Sequence, residues 1–303
     1  MTAQPNAHPA RGQNQPLSFP IAFAALVMGA VAMGISPVFV RFAEVGPFAS
    51  AFWRVALALP LLLLWALWEA KKAGLSLRQA TVLNRAVILS GVFFAGDLIF
   101  WHLAILNTTI ANATLMACLA PVWVLLLSGI FIGEKVRPAA YLGLALCLIG
   151  AALLIGSSFT IAPERLAGDI YGFITSLFFG LYFLAIRVAR RTHGAGALTL
   201  VSTAITAALL LLVALAAGQS LWPQTATGVA ALLALGLVSH SGGQGLLAVA
   251  LGSLSAGFAS LVIFVEALAA ALFGWLVFAE ILTPLQGIGG CLILWGIWAA
   301  RPR

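Results

Sequence analysis

Five ionisable side chains, Arg54, Asp97, His102, His240 and Glu266, sit inside long runs of apolar residues. Placing such a group in hydrocarbon costs about 2.5 to 3.5 kcal/mol on insertion scales, which makes each one a candidate for function. Phe94, Asp97 and Trp101 follow one another at i, i+3 and i+7, a spacing that sets a carboxylate between two aromatic rings on one helical face, with His102 pointing elsewhere. Rings offer flat apolar contact and cation–π capacity, so this face fits a cavity for an amphipathic organic solute. An aromatic belt at a membrane surface would also explain Trp101. Arg54 and Asp97 lie at similar depth, roughly 10 to 14 Å from the same end at about 1.5 Å per residue. They are expected either to tie two helices together or to serve gating or binding.

The stretch LVSHSGGQG (237–245) brings two serines, His240, Gln244 and three glycines into the middle of another apolar run. Polar, helix-weak backbone at that depth is tolerated where it is buried in protein or lines a water-filled cavity. Cavity lining is the expectation, with close helix packing through small residues as the alternative. Glu266 falls halfway along its run, where a carboxylate can recognise an amino group, carry a proton or remain protonated and structural. Asn112 and Tyr182 join the candidate substrate contacts on periodicity alone. Pro37, Pro60 and Pro121 are candidate bends or hinges. No G-x-x-x-x-G-K-[ST] phosphate loop occurs, and the loops offer no histidine–carboxylate or metal-ligand spacing. The expectation is therefore no enzyme, no cofactor and no metal.

The elements that must position these residues are set by composition. Of 303 residues, 63% are apolar and 8% charged, against about a quarter charged in soluble domains. Ten runs are long enough, at roughly 20 residues each, to cross a membrane: 18–41, 47–69, 86–106, 109–132, 139–157, 170–190, 197–217, 226–250, 255–279 and 284–300. They lack the period-2 alternation of barrel strands, so the fold class is all-α integral membrane with ten transmembrane helices. Residues 1–16, polar and proline-rich, are expected to form a disordered cytoplasmic tail. Cys118, Cys147 and Cys291 all fall inside predicted helices as small packing residues.

The net charge of +7 would raise the question of nucleic acid on a soluble protein. Here the basic residues gather in the termini and alternate connections: Arg11, Lys71, Lys72, Arg78, Arg85, Lys135, Arg137, Arg190, Arg191, Arg301 and Arg303 on one side, with Arg41 and Arg165 on the other. Positive charge marks the cytoplasmic side. Both termini are expected in the cytoplasm, in the cytoplasmic (inner) membrane, with no nucleic-acid partner.

IGEKVRP (132–138) returns as FAEILTP (278–284), 146 residues later. The same offset relates Gly143 to Gly289, Gly150 to Gly296, Arg41 to Arg187 and Gly34 to Gly180. Each copy holds five crossings, an odd number, so the second enters from the opposite side and the duplication is an inverted repeat. Glu134 and Glu280 are then equivalent helix-end residues on opposite faces, expected to serve gating or structure.

The segments 103–154 and 249–300, with Pro121, Glu134, Glu280 and the glycine-rich last helix of each copy, resemble the EamA repeat of the drug/metabolite transporter superfamily, most closely its aromatic amino acid exporter branch. The second copy has Ala267 where the first has Pro121, which leaves it without the kink residue and sets Glu266 beside that position. The resemblance implies two inverted five-helix repeats, 17–157 and 158–303. The expected function is a secondary transporter that exports small organic metabolites, amino acids including aromatic ones, by alternating access. Membrane lipid surrounds it, and the expected assembly is a monomer. A flippase for lipid-linked intermediates and an integral membrane enzyme acting on lipid are the alternatives.

Overall fold

The computed structural model describes residues 16–155, 162–279 and 282–302, the side chains of 110 and 111 excepted. Glu280 and residues 1–15 of the expected tail lie outside the described residues. The described chain is helical, with nine helices long and apolar enough to cross a membrane. They are α1 (Phe19–Phe42), α2 (Pro47–Lys72), α3 (Arg85–Asn107), α4 (Asn112–Ile132), α5 (Pro138–Ile155), α6 (Pro163–Ala189), α7 (Ala195–Ala216), α8 (Ala226–Leu251) and α9 (Ala256–Phe278). A shorter apolar helix, α10 (Pro284–Ala300), completes the ten.

Local sequence sets where these helices start and break. Asn84 accepts a hydrogen bond from the Val87 amide at the head of α3, and Thr283 with Gln286 forms a capping box at the head of α10. Pro37, Pro60 and Pro121 each stand in the first turn of a helix that restarts after a break, in α1, α2 and α4 respectively. There the missing N–H is one that the helix would leave unpaired anyway. α9 breaks as well, at Ile263, although no proline is present. The second copy thus breaks here without the proline that stands in the first. A close crossing accompanies the break: a Cβ on Gly34 of α1 would lie 2.7 Å from the Glu266 carbonyl oxygen.

In α8, residues Leu235–Gln244 form a π-helix, as the run of serines and glycines foreshadowed. The part of α3 equivalent to it by the 146-residue offset, around Gly96 and Asp97, is plain α-helix. Gly96 there is used for packing instead, since a Cβ would meet the Phe178 ring at 2.5 Å.

The last helices of the two repeats, α5 and α10, cross through their glycines. A Cβ on Gly143 or Gly150 would come within 2.6 Å of the carbonyl oxygen of Gly296 or Gly289, and the reverse contacts are equally close at 2.7 and 2.5 Å. The pairing is reciprocal: Gly143 meets the counterpart of Gly150, and Gly150 meets the counterpart of Gly143. Between them the Cys147 thiol donates to the carbonyl of Ile293, its own counterpart, at 3.6 Å. A local twofold axis therefore passes here, the signature of an inverted repeat, and small residues let the backbones touch where lipid gives no hydrophobic drive.

The end of the bundle that carries Lys71, Arg85, Lys135 and Arg190, the basic end, is closely tied. Arg187 Nε donates to Glu134 Oε1 at 2.5 Å, and Arg187 Nη1 donates to the Leu251 carbonyl at 2.8 Å. The other oxygen of Glu134 accepts from the Ala256 amide at 2.9 Å. Arg191 donates to the Ile132 carbonyl and Arg190 to the Ala248 carbonyl. Burial draws the Arg190 guanidinium below its usual value, with Glu69 acting in the opposite sense. Glu69 itself accepts from the amides of Ala195, Gly196 and Ala197 and so caps α7.

Candidate functional site

Between the two repeats lies a cavity of about 180 Å³ walled by α1, α2, α3, α4, α6, α8 and α9. Breaks in three helices help shape it. The restart of α1 brings Ser36 and Pro37 to the wall, the break in α4 brings Cys118 and Pro121, and the break in α9 brings Ile263, Phe264 and Glu266.

Three charged side chains face the space: Arg54 from α2, Asp97 from α3 and Glu266 from α9. Arg54 Nη1 donates to the Ser36 hydroxyl at a long 3.3 Å, and its Nε finds no acceptor. The expected pairing of Arg54 with Asp97 is not made as a direct contact. The two share the cavity instead, and among the described residues no side chain donates to the Asp97 or Glu266 carboxylate. One guanidinium and two carboxylates thus present free hydrogen-bonding capacity to the same volume. Polar side chains are otherwise few: Ser36, Thr114, Thr175, Gln244 and Ser260. The Thr175 hydroxyl is buried without a partner. The rest of the wall is apolar and includes the rings of Phe94, Trp101, Phe179, Phe183 and Phe264.

Of the residues expected to contact substrate, the structure brings Phe94, Asp97, Trp101, Gln244 and Glu266 to the cavity, together with Arg54, Pro37 and Pro121. Tyr182 and His240 stand one layer behind. The Tyr182 ring stacks on Phe94 with centroids 4.7 Å apart, and its hydroxyl donates to Gln244 Oε1 at 3.1 Å. His240 Nε2 lies 2.8 Å from the Thr203 hydroxyl, and its ring lies 5.4 Å from that of Phe94. Both therefore hold cavity residues in place. Asn112 is buried away from the cavity, where its amide donates to Asp169 at 3.0 Å and its backbone N–H is capped by Thr109. It ties α4 to α6. His102 is also buried off the cavity, with Nδ1 2.6 Å from the Leu98 carbonyl.

Sequence reasoning missed Thr175, Phe179 and Phe183, which line α6 at i, i+4 and i+8, and Ser260 and Phe264, spaced i and i+4 on α9. The helical spacing was the available signal.

At the basic end the first segment of α9 packs on the last segment of α4, and among the described residues no comparable packing joins the opposite ends of these two helices. A water-accessible, amphipathic chamber with both signs of charge can hold a small solute that carries both an acidic and a basic group on an apolar body.

Residues 20–156 and 166–300 each match the EamA-like transporter family. An uncharacterized transporter of Archaeoglobus fulgidus is 29% identical over 188 residues, 62% of this chain and 64% of that protein. The pseudopaline exporter CntI of Pseudomonas aeruginosa is 28% identical over 169 residues, 56% of this chain and 57% of the exporter. The chain spans less than two thirds of the length of these curated relatives. A solved protein crystal structure superposes with a TM-score of 0.82 at 20% identity, covering 93% of this chain and 97% of that one, a likeness of fold.

Proposed function

Because the chain belongs to the EamA-like transporter family, we propose that it is a secondary transporter that moves zwitterionic amino acids, aromatic ones included, outward by alternating access. One observation carries the substrate: Arg54, Asp97 and Glu266 line one cavity between the repeats, with aromatic rings in its wall. Arg54 takes the substrate carboxylate as a bidentate partner. Asp97 and Glu266 take the ammonium, and the rings of Phe94, Trp101 and Phe179 take the side chain, with cation–π attraction adding to the ammonium contact. A sugar would want many more hydrogen-bonding side chains, and a phosphate ester a cluster of cations.

The basic end faces the cytoplasm under the positive-inside rule, and with α9 packed on α4 at that end the chamber is poised toward the outside. Transport requires the Glu134–Arg187 pair and its backbone contacts to release when the chamber opens inward. The inner membrane and the repeat boundaries at 17–157 and 158–303 belong to the same proposal.

Purified protein in liposomes preloaded with phenylalanine should accumulate labelled phenylalanine by counterflow. Other zwitterionic amino acids should compete, while sugar phosphates and lipophilic cations should not. Counterflow of those other solutes without any amino acid would overturn the assignment.

A further inference from the structure

A second cavity, of about 360 Å³, lies at the basic end among the start of α1, the α4–α5 and α8–α9 connections and the end of α10. Its apolar wall is made by Leu17, Phe19 and Phe258, the two rings lying 5.8 Å apart. Lys135 and Arg137 line it from exposed positions. The carboxylate that borders it, Glu134, is already matched by Arg187 and by the Ala256 amide. The uncompensated charge at this cleft is therefore positive. Ser253 adds a hydroxyl whose oxygen accepts from the Leu17 amide at 2.8 Å and whose proton is left to donate.

We propose that this cleft binds the headgroup of an anionic phospholipid. Lys135 and Arg137 contact the phosphate, as basic pockets between membrane helices do. The acyl chains continue over the outer face of α1, where Ile21 and Met28, seven residues apart, are 58 and 63% exposed. That apolar continuation favours a lipid over a soluble anion, which would gain nothing from it. Because Glu134 borders the cleft and also holds Arg187, the bound headgroup sits against the residues that close the basic end.

Native mass spectrometry of the full chain, titrated with phosphatidylglycerol and with phosphatidylcholine, tests this without any transport step. The wild type should retain phosphatidylglycerol in preference. Lys135→Gln with Arg137→Gln should weaken phosphatidylglycerol binding by about thirtyfold, two cations at roughly 1 kcal/mol each, and abolish the preference. Ser253→Trp, which fills the cleft with both cations in place, should also weaken it. Lys71→Gln with Lys72→Gln, at the same end but off the cleft, should change it less than about threefold. Unchanged phosphatidylglycerol binding in both cleft variants would overturn the proposal, as would inorganic phosphate that displaces the lipid from a site with no lipid preference.

Discussion

Arg54 is the most informative residue, because a buried guanidinium that keeps one long bond to Ser36 and an unpartnered Nε is costly until an anion completes it. Removing it should therefore act on one end of the substrate only. Arg54→Gln is expected to weaken amino acid binding about ten- to a hundredfold, the value of a hydrogen bond to a charged group. The corresponding amine without its carboxylate should bind within about twofold of wild type. Equilibrium binding in detergent checks both, and equal losses for the two ligands would assign Arg54 to structure. The sequence showed Phe94, Asp97 and Trp101 together because helical periodicity reports which residues share a face. It does not report what that face meets, which is why Asn112 and His240 were drawn toward the substrate when they tie helices together. Thr175 and Ser260 went unnoticed because hydroxyls are ordinary inside apolar helices.

Helix ends and crossings carry the next set of consequences. Gly133 and Ala279, equivalent by the 146-residue offset, both end their helices in the left-handed region, at φ 70° and 54°. Glycine adopts this freely and alanine at a cost of roughly 1 to 2 kcal/mol, so Ala279→Gly should stabilise the protein by about 1 kcal/mol. Gly150→Val should do the opposite, by about 1 to 3 kcal/mol, since the Gly289 carbonyl occupies the space a side chain needs. Thermal unfolding in detergent reads both, and an unchanged midpoint for Gly150→Val would remove the close α5–α10 crossing from the account. The breaks at Pro37, Pro60 and Pro121 were legible, because proline announces them. The break at Ile263 and the regularity of α3 were not, because they arise from how neighbouring helices press together rather than from any residue in the segment.

Across the whole molecule the duplication extends to scaffold but not to chemistry. The counterparts of Arg54, Asp97 and Glu266 are Leu200, Gly243 and Ala120, so an inverted frame carries one asymmetric site. This is why the fold could be read from offset and hydropathy while the site needed coordinates. The closed basic end makes a prediction of its own. Glu134→Gln should shift the balance toward the inward-open state by about ten- to a hundredfold, because it weakens a charged hydrogen bond. Spin labels at Val136→Cys and Ser253→Cys should then move apart, and an unchanged distance distribution would remove Glu134 from gating. The central claim, that substrate occupies the chamber reached from outside, can be tested at Cys118, which lines the cavity while Cys147 is buried and Cys291 is exposed elsewhere. In sealed cells carrying the Cys291→Ser protein, an impermeant thiol reagent added outside should modify Cys118, and saturating phenylalanine should slow that reaction at least about tenfold, with the protection lost in Arg54→Gln. Modification of Cys118 at the same rate with and without a transported amino acid would contradict the account.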